Sequence, residues 1–220
     1  IKNKLTGGSV EIEITVKNGD QTLAFPVESG ETDYSSLLNI IPNLQNASES
    51  DRKAFCDLLL KSGDIEKRAK AVEFIDCLPW EDDEVRGLVN DGYMEVLNVL
   101  VTTERFRSIA NLAEIENILT KEIIFDPSNS QYEWLGEPEE YQIYDSRANI
   151  ASYCAYFEGV TDSEIAKLVI KQCPDQDFVL LELARGSTAC KEVLNQLAVH
   201  KNEEISEAAK GRLNEIEEFD

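Results

Sequence analysis

The stretch Val10-Glu11-Ile12-Glu13-Ile14-Thr15-Val16 alternates apolar and polar residues without a break, the mark of a strand with one buried face. Asn18-Gly19 follows, and this pair suits a two-residue type I′ turn because both central positions need positive φ. A turn there sets Lys17 opposite Asp20, Ile14 opposite Leu23, Ile12 opposite Phe25 and Val10 opposite Val27. All the large apolar residues then share one face, so pattern and turn agree. A lone hairpin is marginal in water. The sequence therefore predicts an N-terminal β-hairpin within residues 1–32, packed on the rest of the chain or exchanged with a partner.

From Asp33 onward the apolar period becomes helical. Tyr34 to Ile41 reads as a short helix stopped at Pro42, and Ser48-Glu49-Ser50-Asp51 opens another that ends near Gly63. Asp64 caps a predicted helix from Ile65 to Leu78, with Ile65, Ala69, Val72 and Ile75 on one face and Pro79 as its stop. Further helices are predicted near 84–90, 93–102, 105–112, 114–124, 145–158, 161–172, 177–184, 188–199 and 203–217. Acids recur at their starts, where they cap free amides and meet the positive end of the helix dipole. The connections are short. Tandem short helices with regular caps point to a mainly α fold, an α-α superhelix carrying the hairpin. Its parts are the hairpin at 1–32, helical repeats at 33–125, a loop at 126–144 and C-terminal helical repeats at 145–220, in one continuous domain.

The stretch from Asp177 through Leu183-Ala184, Val193-Leu194, Leu197-Ala198, Ile205 and Ala208-Ala209 to Arg212-Leu213 resembles the HEAT-like and leucine-rich-repeat-variant α-helical repeats. The echo recurs at Asp83-Glu84-Val85-Arg86 leading to Val96-Leu97 and Leu100, and more faintly at Asp64-Ile65 to Arg68-Ala69. Val179 and Ser206 stand where that pattern carries arginine, and 126–144 breaks the period. The resemblance spans roughly residues 60–220. It implies an α-solenoid scaffold that binds protein or nucleic acid, and it implies no catalytic residues.

Charge narrows the partner. The 220 residues hold 43 Asp plus Glu against 21 Lys plus Arg, a formal net of −22. The excess runs through every segment rather than a tail, so the surface should carry a negative field that repels nucleic acid and attracts basic proteins. No basic run exceeds Lys67-Arg68, so direct nucleic-acid binding is not expected. No apolar run is long enough to span a bilayer. Ile1 in place of Met predicts a trimmed N-terminus, with a removed signal peptide left open.

Candidate chemistry is sparse. Cys56, Cys77, Cys154, Cys173 and Cys190 are scattered and mostly set among helix-period apolar residues. That arrangement predicts buried free thiols in a reducing, cytoplasmic setting. The one histidine, His200, lies at a helix end, where it is expected to meet exposed carbonyls. No phosphate-binding glycine motif, nucleophile with a base, or metal-ligand spacing occurs. Carboxylates are too abundant for any one pair to be informative. The sequence thus predicts no enzyme, no cofactor and no metal.

The loop 126–144 holds what a binding surface needs, aromatic anchors among charges: Tyr132, Glu133, Trp134, Glu137, Glu139, Glu140, Tyr141 and Tyr144, without a base. The alternative is that these aromatics only pack the loop onto the helices. The expected function is binding and neutralising a basic protein. A nuclease-type toxin met by its bacterial immunity protein is the most concrete case. An acidic DNA mimic that inhibits a DNA-binding enzyme and a general protein-interaction scaffold are the alternatives. The oligomeric state is left open.

Overall fold

The computed structural model describes residues 2–6, 9–18, 21–27, 49–61, 65–121 and 145–219. The expected helix at Tyr34–Ile41 and the loop at 126–144 lie outside the described residues. The described chain is mostly helical, with eleven α-helices, three 3₁₀ turns and three strands. It divides into two compact units, Ile1–Trp80 and Glu81–Asp220.

In the first unit β1 (Lys2–Thr6), β2 (Ser9–Asn18) and β3 (Gln21–Val27) pair antiparallel in the order β1-β2-β3. The β2–β3 register differs from the one an Asn18-Gly19 turn implies. Asn18 pairs with Gln21, Val16 with Leu23, Ile14 with Phe25 and Ile12 with Val27. The offset is two residues. Because strand side chains alternate with period two, this shift keeps apolar positions opposite one another, and hydrophobic patterning cannot choose between the registers. Strand β1 has only Leu5 as an apolar signal and was not expected.

Helices α1 (Glu49–Leu60) and α2 (Ile65–Val72) pack together in the same unit. They bury Cys56, Leu59, Ile65, Ala69, Ala71 and Val72. Trp80 is also buried, with Lys53 Nζ 4.7 Å from its ring centroid. The helix expected to run to Leu78 stops at Val72, and a 3₁₀ turn covers Ile75–Cys77. Val72, Ile75 and Leu78 are three apart, a spacing that a 3₁₀ turn satisfies as well as an α-helix. Pro79 then holds Leu78 extended, at φ −126° and ψ 155°.

The second unit begins with α3 (Asp82–Gly87), where Glu81 and Glu84 form a capping box, and a 3₁₀ turn at Leu88–Asn90. Then come α4 (Met94–Thr102), α5 (Glu104–Ile109) capped by Thr103, and α6 (Leu112–Thr120). Asn111 and Glu114 close the capping box of α6. After residue 144 follow α7 (Ser146–Ser152), α8 (Asp162–Gln172), α9 (Asp177–Arg185), α10 (Lys191–Leu197) and α11 (Glu203–Phe219). The starts of α3, α5, α6, α7, α8 and α11 each gain a polar side chain for their free amides.

Several contacts link helices that are not neighbours in sequence, alongside the neighbouring pair α10 and α11. Helix α4 meets α7, α7 meets α9 and α9 meets α11, while α6 meets α8 and α8 meets α10. These two rows bury Leu97, Leu100, Ile115, Ile118, Ile150, Ile165, Leu183, Leu194 and Leu197 almost completely, and Phe106 of α5 is buried as fully. Phe106 and Phe157 meet edge to face at 6.4 Å.

One close approach depends on glycine. A Cβ on Gly186 would lie 2.7 Å from Glu182 O, Ser152 Cα and Ser152 O, all backbone. The end of α9 therefore sits directly on the end of α7. Ser187 fastens the junction: its N–H and its hydroxyl both donate to Ser152 O, at 2.8 and 2.9 Å. The same hydroxyl oxygen accepts from Ala155 N at 3.0 Å. This competition for backbone groups coincides with the end of α7 at Ser152, short of the expected end at 158, and with a 3₁₀ turn at Cys154–Tyr156.

Candidate functional site

All eight residues singled out in the sequence, Tyr132, Glu133, Trp134, Glu137, Glu139, Glu140, Tyr141 and Tyr144, lie outside the described residues. What the structure does fix is the pair of helix ends flanking them. At the C-cap of α6, Lys121 Nζ donates to Val89 O at 3.1 Å, and burial lowers its pKa against the opposing pull of Asp91. At the N-cap of α7, the buried Asp145 carboxylate accepts from Arg147 N at 2.8 Å and from Arg147 Nε at 2.9 Å. Arg147 Nη2 completes a bidentate pair with the same carboxylate. The hydrogen bond from Arg147 to Asp145 outweighs desolvation and raises the guanidinium's pKa.

Acids and bases are unevenly divided. Residues 81–220 carry 30 Asp plus Glu against 12 Lys plus Arg, a net of −18, whereas residues 1–80 carry 13 against 9, a net of −4. In the second unit the cations are largely engaged by the chain's own carboxylates. Arg86 pairs with Glu114, Arg105 with Asp82, Arg147 with Asp145 and Lys167 with Glu192. Lys171 pairs with Glu116, Arg185 with Glu204 and Arg212 with Glu215. Apart from the more deeply buried Arg147–Asp145 pair, these largely exposed pairs contribute little stability, but all of them hold basic groups beside acids. The surplus seen from outside is therefore carboxylate.

Part of that surplus is structural. Glu164 accepts from Thr161 N at 3.0 Å and from the Thr161 hydroxyl at 2.6 Å, and these bonds lower its pKa. Asp162 joins three segments: its carboxylate accepts from Cys154 Sγ at 3.1 Å and from Ala189 N at 2.7 Å.

The thiols follow burial. Cys56 and Cys154 are pushed up to about 12, chiefly by desolvation and then by Asp57 and Asp162 respectively. Cys173 is pushed up to about 11 by burial, with Arg147 pulling the other way. Thiols held this high supply almost no thiolate at neutral pH. Cys77, expected to be buried, is exposed, because the 3₁₀ turn at Ile75–Cys77 directs Ile75 inward instead. His200 differs too: its Nδ1 accepts from Asn202 N at 3.2 Å rather than donating to a carbonyl. No group of three or more His, Cys, Asp or Glu among the described residues could hold a metal. No helix among them is long and apolar enough to cross a membrane.

Two residues missed by the sequence reading stand out. Tyr153 and Tyr156 are 39% and 60% exposed, with ring centroids 6.0 Å apart in an edge-on arrangement. The Arg107 guanidinium lies 5.7 Å from the Tyr153 centroid and donates to Thr102 O at 2.8 Å. In Ser152-Tyr-Cys-Ala-Tyr-Phe157 the buried Cys154 and Phe157 alternate with these tyrosines. A signal was available, namely two tyrosines three apart on the polar side of an amphipathic pattern.

No protein-family model matches the chain, and neither the curated proteins nor the solved structures include a significant match to it.

Proposed function

We propose that this chain is a non-enzymatic, acidic helical-repeat protein that binds a basic protein and neutralises it by covering a cationic surface. An immunity protein for a bacterial nuclease-type toxin, acting in the cytoplasm, is the most concrete form of this reading. The observation that carries it is the net −18 of residues 81–220 together with the engagement of most of their cations by neighbouring carboxylates. A field of one sign speeds encounter with an oppositely charged protein and penalises nucleic acid. The contact rows α4-α7-α9-α11 and α6-α8-α10 support an α-α superhelix of the HEAT-like kind.

Capture of partners from a host lysate on the immobilised full chain tests the reading, with elution by a salt gradient. The expected partner has a strongly basic composition and elutes as ionic strength rises through the range in which surface charges are screened. A neutral or acidic partner, or one retained unchanged in molar salt, would refute it.

A further inference from the structure

Among the described residues Tyr153 and Tyr156 are the largest of the exposed hydrophobic side chains, Leu112 and Val199 being the others. Their placement is fixed rather than incidental. Tyr153 N donates to Asn149 O at 2.9 Å, Tyr156 N to Tyr153 O at 2.9 Å, and Ala155 N to the Ser187 hydroxyl at 3.0 Å. Cys154 and Phe157 anchor the turn in the core on either side. Glu158 N donates to Arg107 O at 3.1 Å, tying the turn to α5. An exposed tyrosine pair on a rigid turn loses little entropy when covered, which is how aromatic anchors act in interfaces.

The turn also shows which chemistry suits it. The chain's own Arg107 already sits over Tyr153, so a guanidinium occupies one ring. The Tyr156 ring, 60% exposed, touches Tyr153 edge-on and leaves much of its surface to solvent. Exposed Glu158 lies two residues away, within a unit of net −18. A cation on the Tyr156 ring meets a π-face within this negative unit, while the Arg107 guanidinium is engaged with the Tyr153 ring and Thr102 O.

We propose that Tyr153 and Tyr156 are the aromatic anchor of a docking surface for an arginine-bearing segment of a basic protein. A partner guanidinium stacks on Tyr156, and Glu158 forms the charged rim. This inference rests on the acidic-binding reading above and adds a defined place to it.

The test uses the full chain and a deca-arginine peptide as probe, titrated at low and moderate salt. Tyr156→Ala should weaken binding about 5-fold, as loss of one exposed cation–π contact implies. Tyr156→Phe should keep most of the affinity because the ring remains. Val199→Ser, at an 83% exposed position elsewhere, should change nothing. On the wild-type protein, bound deca-arginine should protect Tyr156 from nitration, read by peptide mass spectrometry. If Tyr156→Ala binds like wild type and nitration is unprotected while binding remains salt-sensitive, the docking surface is wrong and the acidic-binding reading stands. If the wild-type chain does not bind deca-arginine even at low salt, both fail together.

Discussion

Replacing Gly186 by alanine isolates one close approach. Gly186 has φ −75°, a region any residue adopts, so alanine meets no backbone objection there. On backbone entropy alone the change should stabilise, by about 0.5 kcal/mol. Space says the opposite. The new methyl carbon would stand 2.7 Å from Glu182 O, Ser152 Cα and Ser152 O, and none of these is a flexible side-chain tip. Relief of the two Ser152 contacts requires the end of α9 to move off α7, which stretches both Ser187 bonds to Ser152 O, and relief of the Glu182 O contact requires the last turn of α9 itself to distort. Overpacking of this kind costs about 1–3 kcal/mol, and three backbone contacts place Gly186→Ala near the top, about 2–3 kcal/mol net. For a chain of this size that lowers the thermal midpoint by about 8 °C. Urea and thermal unfolding of the variant, followed by circular dichroism, measure it. The matched control is Gly211→Ala within α11, where nothing lies within 4 Å of the added carbon. That change should stabilise by about 0.5–1 kcal/mol, the usual helix-interior gain. If both variants are equally stable or both gain, the α7–α9 approach is not as described.

Three further outcomes follow from the described geometry. Asp145→Ala leaves Arg147 half-buried without its carboxylate and uncaps α7, and should cost about 3 kcal/mol in urea unfolding; a loss below 1 kcal/mol would contradict it. A thiol reagent at neutral pH should label Cys77 rapidly and leave Cys56, Cys154 and Cys173 unlabelled until denaturant is added; fast native labelling of Cys154 would contradict its burial. The lowered pKa of Glu164 means that its capping contribution is present above the ordinary glutamate range and is lost as pH falls through that range and below. The stability gap between wild type and Glu164→Ala should therefore narrow between pH 6 and pH 3.5, and a gap that stays constant would show the cap to be idle.

Much of the helical order was legible because caps are local. Thr161-x-x-Glu164 and Asp145 mark helix starts in sequence and mark them in space. Asn111-x-x-Glu114 carries the same signal, and α6 starts at Leu112 rather than near 114 because Asn111 and Glu114 close its capping box. The end of α7 was not legible. Ser-Tyr-Cys-Ala-Tyr-Phe has a helical apolar period, and the helix stops where Ser187, 35 residues on from Ser152, binds the backbone. The exposed Tyr153 and Tyr156 follow that helix end, and their three-residue spacing opposite the buried Cys154 and Phe157 is the sequence signal for them. The β2–β3 register was likewise undecided by alternation, since a two-residue offset conserves it. The charge division between 1–80 and 81–220 needed only the unit boundary at Trp80 to become visible.

The central claim is that carboxylate surplus on residues 81–220 drives recognition of a basic protein. Its most direct measurement is the association rate constant of the full chain with its captured partner as ionic strength rises from 20 to about 500 mM. The account predicts a fall of at least tenfold in association rate, with dissociation changing far less. A rate that stays flat across that range would contradict it.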